Sequence, residues 1–218
     1  MAQIKLMFKT PLQELEWVSI TGNGKVKMNK DPSSEDPKDF YYTATTVYPN
    51  EAAMKKDKAV FDKFWKENRP AGVTAQSYKM FKPEMIPELD EAGKPREDEE
   101  GAIIKKATGR WLLAAKTVTR WPDGKPNRVK VLRGNGNPLN LGEKKIGNGT
   151  IGVIHGAIGI NAFAGNEGLA FYLNAIQIKK FVEYTEADAV EAEDLGEDEG
   201  LDEVDVDAAD VSKDTPDI

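Results

Sequence analysis

Cationic side chains recur in two neighbouring strand-like segments of the chain, and aromatic side chains accompany them in the first. Arg110, Lys116 and Arg120 share one face of the first segment, because side chains alternate between the two faces of a strand. Arg128 and Lys130 share one face of the second segment. Cations that follow phosphates, with aromatic rings that stack on bases at roughly 1–3 kcal/mol each, bind single-stranded nucleic acid. A solvated strand face has the same pattern, so both interpretations stand.

Aromatic residues in or beside the strand segments extend this pattern: Trp17, Trp111, Trp121 and Phe163. Any one of these rings can instead fill a core. Trp121 and Phe163 are the better candidates for base stacking, because each lies at the end of a predicted hairpin, where a ring can be half exposed. The candidate nucleic-acid contacts are Arg110, Lys116, Arg120, Trp121, Lys125, Arg128, Lys130, Phe163 and Lys179.

The charge of the chain is divided between a basic body and an acidic end. Fifteen acidic residues and one lysine give residues 186–218 a formal charge of −14, whereas residues 1–185 carry 29 basic and 22 acidic residues, a net +7. The segment 186–218 has no aromatic residue and few branched apolar residues, so it is predicted to be a disordered tail. A second acidic run lies at 83–101.

Several classes of function are disfavoured by composition. The chain has no cysteine and a single histidine, His155, so thiol chemistry, a metal site and a histidine-based hydrolase are not expected. Gly147 to Gly152 matches the dinucleotide pattern, but a strand-like stretch follows it where that motif requires a helix, so no cofactor is predicted. The absence of a leader or an apolar span favours a cytoplasmic protein that does not associate with membranes.

The elements that must position these residues are mostly strands. Asn50 caps the one amphipathic helix, which is predicted to end at the Arg69-Pro70 pair. Repeated prolines and acids mark 70–108 as a loop-rich excursion. Strand patterns are found at 4–20, 40–48, 109–121, 127–133, 150–163 and 169–184. The order predicts a mainly β domain over 1–185, a small, partly open antiparallel barrel with an inserted helix.

Three stretches and the tail carry a resemblance to a known family: Thr45 to Asn50, Ile146 to Thr150, and Leu173 to Tyr184. With the tail, they make the chain resemble phage-type single-stranded DNA-binding proteins. The resemblance implies an OB fold, a five-stranded antiparallel barrel with one α-helix between its second and third strands. It also implies sequence-independent binding of single-stranded DNA in phage replication or recombination, without catalysis. By position, it assigns DNA contacts to Phe163 and to the basic hairpin from Arg120 to Lys125.

The same resemblance gives the tail two roles, competition with DNA and recruitment of replication proteins such as polymerase and helicase-primase. The residues implied in partner binding are Asp202, Glu203, Asp205, Asp207, Asp210, Asp214, Asp217 and Ile218. Family members often end in an aromatic residue, whereas this chain ends in Ile218. An alternative is an acidic-tailed adaptor or chaperone-like protein that holds basic partners and does not bind DNA. The sequence leaves open whether the chain forms a homo-oligomer.

Overall fold

The computed structural model describes residues 5–28, 30–31, 33–121, 123–163 and 166–185, with residues 162, 163 and 166 described by their backbone alone. The predicted tail, 186–218, lies outside this range. The strands are β1 Lys5–Lys9, β2 Gln13–Ser19, β3 Lys25–Val26, β4 Phe40–Tyr48, β5 Phe81–Pro87, β6 Lys105–Val118, β7 Lys130–Arg133, β8 Thr150–Phe163 and β9 Asn166–Lys180. One helix, α1 Glu51–Asn68, follows β4.

Five of these strands close into a ring in the order β2-β4-β6-β9-β8, with β8 pairing back to β2. All of these pairings are antiparallel except β6 with β9, which run parallel where Lys116 lies opposite Tyr172. The predicted barrel is confirmed, and it has the five-stranded architecture of an OB fold. The remaining strands extend the wall: β1 pairs with β8, β3 with β4, β5 with β6, and β7 with β9.

The core lies between the ring and helix α1. The Asn50 side chain accepts a hydrogen bond from the Ala53 N–H at 2.9 Å, which caps the helix as its sequence predicts. Phe61 on the buried face of the helix packs edge-to-face on Phe8, Phe81 and Phe171, with ring centroids 5.1, 5.1 and 5.7 Å away. These contacts hold the helix against β1, β5 and β9.

Two segments differ from their prediction. Within the predicted excursion at 70–108, Phe81–Pro87 forms strand β5, and Phe81 is buried in the core. The strand was not predicted because it contains prolines at 83 and 87, and proline argues against a strand. The prolines are tolerated because β5 pairs only with β6 and is therefore an edge strand.

The second difference concerns the strand predicted at 127–133 as the return of a hairpin from 109–121. A short hairpin does form: the Asn127 N–H donates to the Thr119 carbonyl at 2.9 Å, and Arg120 is bridged to Pro126. Strand β7 then leaves β6 and pairs in parallel with β9. The cations of 127–133 therefore lie beside β9 and not opposite those of β6.

Candidate nucleic-acid interface

Tyrosines and lysines alternate across the outer surface of the barrel. On β9, Tyr172 lies between the core residues Phe171 and Leu173 and so faces outward. The Nζ atom of Lys116, on the neighbouring β6, lies 4.8 Å from the ring centroid of Tyr41 on β4. We call this set the tyrosine–lysine strip; its members are Lys5, Tyr41, Tyr78, Lys116 and Tyr172.

Lys5 and Tyr78 complete the strip on the side of β8 and β9. Lys5 Nζ lies 5.0 Å from the ring centroid of Tyr172, within the range of cation–π attraction. Tyr78 approaches the same surface from the segment after α1, and its hydroxyl accepts a hydrogen bond from the Asn161 side chain at 3.5 Å. The Ser77 N–H also donates to the Glu167 carbonyl at 2.8 Å. The strip thus runs from β4 across β6 and β9 to the region near the tip of the β8–β9 hairpin, where Asn161 pairs with Gly168.

Two glycines make room for the rings on this surface. A Cβ atom at Gly159 would lie 2.8 Å from the Tyr172 ring, and one at Gly168 would lie 2.7 Å from the Tyr78 ring. Both distances are far below van der Waals contact, so any side chain there would displace the ring above it. The glycines of β8 and β9 therefore have a local function, which is to seat the two tyrosines.

Burial sets the protonation of the strip. Desolvation, together with the nearby Tyr78, raises the pKa of Tyr172 to about 12, and burial also raises the pKa of Tyr78. Both rings are neutral at physiological pH, as an ordinary tyrosine is, and burial extends that neutral state to higher pH. Burial lowers the pKa of Lys5, because removing an ammonium group from water disfavours its charged form. An anion bound beside Lys5 would reverse that effect.

The hairpin at 119–127 carries three of the sequence-predicted residues, and it continues directly from the end of β6. Arg120 and Lys125 are exposed and Trp121 is half-buried. The Arg120 guanidinium donates to the Gly124 carbonyl at 3.1 Å, and Lys125 Nζ lies 2.9 Å from an Asp123 carboxylate oxygen. Thr119 Oγ1 donates to the Pro37 carbonyl at 3.0 Å, which holds the hairpin against the connection between β3 and β4.

Arg110 occupies a different environment from the other predicted cations. Its guanidinium donates to both carboxylate oxygens of Glu84, to Glu16 at 3.0 Å and to Glu14 at 3.4 Å. These hydrogen bonds hold the pKa of Glu84 below its ordinary value, whereas burial raises that of Glu16. Arg110 is thus committed to three carboxylates, two of which, Glu16 and Glu84, are buried. We refer to these four residues as the Arg110 cluster.

The other predicted residues lie on or beside β9, apart from Phe163 at the end of β8. Lys130 lies opposite Ala175, three residues or about 10 Å beyond Tyr172, and Arg128 is exposed just before it. Lys179 lies seven residues beyond Tyr172, about 23 Å away along the strand and beside Gly134. Phe163 pairs with Asn166 at the tip of the β8–β9 hairpin, and only its backbone is described.

Of the sequence-predicted residues, Lys116 and those of the hairpin 119–127 therefore lie close together, whereas Arg110 and Lys179 lie apart from them. The sequence prediction missed Lys5, Tyr41, Tyr78 and Tyr172. The alternation of buried and outward residues along β9 could have singled out Tyr172. Nothing local in the sequence indicates Tyr78 or Lys5, because their neighbours in the strip are distant in the chain.

This fold is similar to solved structures of two phage proteins. For gp2.5, a single-stranded DNA-binding protein encoded by bacteriophage T7, the TM-score is 0.53 at 14% identity, covering 89% of this chain and 98% of that one. For a C-terminally truncated single-stranded DNA-binding protein of bacteriophage Enc34, it is 0.51 at 15% identity, covering 82% and 88%. No family model and no curated protein matches the sequence. At these identities the likeness establishes a shared fold.

Two kinds of feature are not found in the described part of the chain. No helix there is long and apolar enough to cross a membrane. No three side chains among His, Asp and Glu are grouped there in a way that could hold a metal ion.

Proposed function

We propose that the chain binds single-stranded DNA, independently of base sequence, across the outer face of β4, β6 and β9. The observation that carries the proposal is the tyrosine–lysine strip. Its neutral rings offer stacking surfaces to any base, and its lysines lie between them at positions suited to phosphates. OB folds bind oligonucleotides on the face of their second and third strands, which here are β4 and β6.

The hairpin 119–127 extends this surface. Arg120 and Lys125 add exposed cations beyond Lys116, and Trp121 adds a further half-buried ring. Lys130 and Arg128 continue the cationic path along β9, and Phe163 stands at the tip of the β8–β9 hairpin. Arg110 is omitted from the proposed DNA contacts because its donors are already engaged by carboxylates.

The acidic segment 186–218 is proposed to compete with DNA for this surface and to recruit replication proteins in phage replication or recombination, within the host cytoplasm. Its formal charge of −14 opposes the +7 of the body. A tethered polyanion has a local concentration of about millimolar for a short flexible linker. DNA must then displace the segment, which lowers the measured affinity and frees the segment for partners.

The test is fluorescence anisotropy of labelled oligo-dT with the full chain and with a chain ending at Tyr184, over a range of salt concentration. Both are expected to bind, and the shorter chain more tightly. Log affinity should fall with log salt by about 0.7 per phosphate neutralised. Binding by neither chain would refute the proposal and favour the acidic-tailed adaptor.

Two lysine variants localise the surface. Lys116→Ala should weaken binding and reduce the salt slope by about 0.7, because one phosphate contact is lost. Lys63→Ala is the matched control, since Lys63 is an exposed lysine of α1 that pairs with Glu67. An equal effect of the two substitutions would contradict a DNA path across β4, β6 and β9.

A further inference from the structure

Trp17 adopts a backbone conformation that its side chain disfavours. Its φ is +47°, and it is the one non-glycine residue with a positive φ among those that the structure describes. In the left-handed region the Cβ of an L-residue crowds the following carbonyl, and a bulky residue there is an outlier. Such strain persists only where the surrounding structure enforces it, and strained residues cluster at ligand-binding positions.

A β-bulge imposes the conformation. The register between β2 and β4 shifts between Glu16 and Ser19, so that Trp17 and Val18 together lie opposite Ala44. Val18 packs against the core. A bulge can re-aim a side chain of its strand, and bulges are over-represented at the rims of barrels and next to active sites.

A hydrogen bond fixes the bulged residue from the other side. The Trp17 N–H donates to Oδ1 of Asn148 at 2.9 Å. Strand β8 begins at Thr150, opposite Leu15, so Trp17 lies beyond the last backbone pair that β8 makes with β2. The Asn148 side chain therefore takes the place of a strand partner.

The ring of Trp17 is not used to fill the core. Trp65 is buried and Trp111 packs against the core, but Trp17 is half-buried and is not among the described side chains packed there. Packing of the ring in the core therefore does not explain the strained backbone at Trp17.

Trp17 lies on β2, beside the β4 edge of the tyrosine–lysine strip. Two residues further along β2, Ser19 lies opposite Thr43, and Thr43 lies opposite Lys116. Two strand spacings, about 10 Å, separate β2 from β6 across this face. A tryptophan side chain on β2 is thus within reach of a strand of DNA that crosses β4.

We propose that Trp17 is a base-stacking residue at the β2 flank of the strip, and that the bulge and the Asn148 contact fix the backbone conformation from which its ring reaches the DNA. The inference rests on the proposed binding of single-stranded DNA. It adds a binding residue on β2, outside the strip and the hairpin 119–127.

Trp17→Gly separates a binding role from a structural one. Glycine adopts a positive φ without steric cost, and its larger loss of backbone entropy lowers Tm by only a few degrees, so the variant is expected to unfold within about 4 °C of the wild type. Loss of one stacked base should nevertheless raise the Kd for oligo-dT by roughly five- to 150-fold. The salt slope should not change, because no phosphate contact is removed. Trp17→Phe keeps a ring, so its affinity should fall between those of the wild type and Trp17→Gly.

Three outcomes would overturn the inference. Wild-type affinity in Trp17→Gly would show that the ring does not contact DNA. A clearly lower unfolding temperature in Trp17→Gly would show that the ring supports the fold. A reduced salt slope would show that the substitution disturbed the cations. If the wild-type chain itself fails to bind oligo-dT, the proposed function fails as well, so the wild-type titration tells the two failures apart.

Discussion

Replacing Arg110 by methionine tests whether this cation serves the fold or the DNA. Methionine keeps an unbranched stem but leaves the carboxylates of Glu84 and Glu16, which are 5% and 9% exposed, without their counter-charge. Removing one partner of a buried ion pair costs about 3–5 kcal/mol, whereas an exposed pair contributes about 0.2–1 kcal/mol. Because the Arg110 side chain is 34% exposed, we expect an intermediate loss of about 2–3 kcal/mol.

The assay is thermal unfolding followed by circular dichroism at pH 7. For a chain of this size each kcal/mol shifts Tm by about 2–4 °C, so Arg110→Met should unfold roughly 4–12 °C below the wild type. Arg128→Met is the matched control, since it removes an exposed guanidinium and should change stability by less than about 0.5 kcal/mol.

The loss of stability in Arg110→Met should also depend on pH in a defined direction. Arg110 lowers the pKa of Glu84 in the folded state, so Glu84 contributes stability above its ordinary value of 4.5 and loses it as pH falls through the lowered value. That contribution is absent from Arg110→Met. The difference in Tm between wild type and variant should therefore be largest near neutral pH and shrink in acid.

Binding completes the test. Below its unfolding temperature, Arg110→Met should bind oligo-dT as tightly as the wild type, whereas Arg120→Met should bind more weakly. A folded Arg110→Met with wild-type Tm and reduced affinity would refute the assignment of Arg110 to a structural cluster and return it to the DNA-binding surface.

Three further changes probe the strip and its supports. Gly159→Ala should displace the Tyr172 ring, since its Cβ would lie 2.8 Å from that ring, and should weaken oligo-dT binding; unchanged affinity would argue against stacking on Tyr172. Ultraviolet titration should find one tyrosine with a pKa of about 12, and that tyrosine should be absent in Tyr172→Phe. The free energy of unfolding should decline between about pH 10 and pH 12, because the Tyr172 hydroxyl loses its proton at a lower pH in the unfolded chain than in the folded one. Asn127→Ala removes buried hydrogen bonds to Thr117 Oγ1 and the Val118 carbonyl, at 3.1 and 2.7 Å, and should cost about 1–3 kcal/mol by chemical denaturation; a loss under about 0.5 kcal/mol would mean that other contacts hold the hairpin.

Local patterns in the sequence were sufficient for helix α1, for most of the strands and for the class of fold. The period of α1 and its Asn50 cap are short-range properties, and the structure agrees with both. The β8–β9 hairpin was predictable for the same reason. Segments whose pairing depends on distant partners were not: β5 contains two prolines, and only its place at an edge beside β6 makes it a strand.

The chemistry of individual cations was decided by tertiary structure. Arg110 and Lys116 lie on the same face of one strand, so periodicity treats them alike. Glu84 and Glu16 come from other strands and engage Arg110, whereas Lys116 meets Tyr41 and lies opposite Tyr172. The sequence by itself determined a basic barrel with one helix and an acidic end, since composition and periodicity are properties of each segment. Which cations and rings share a surface depended on closing the ring, because that closure brings residues more than a hundred positions apart into contact.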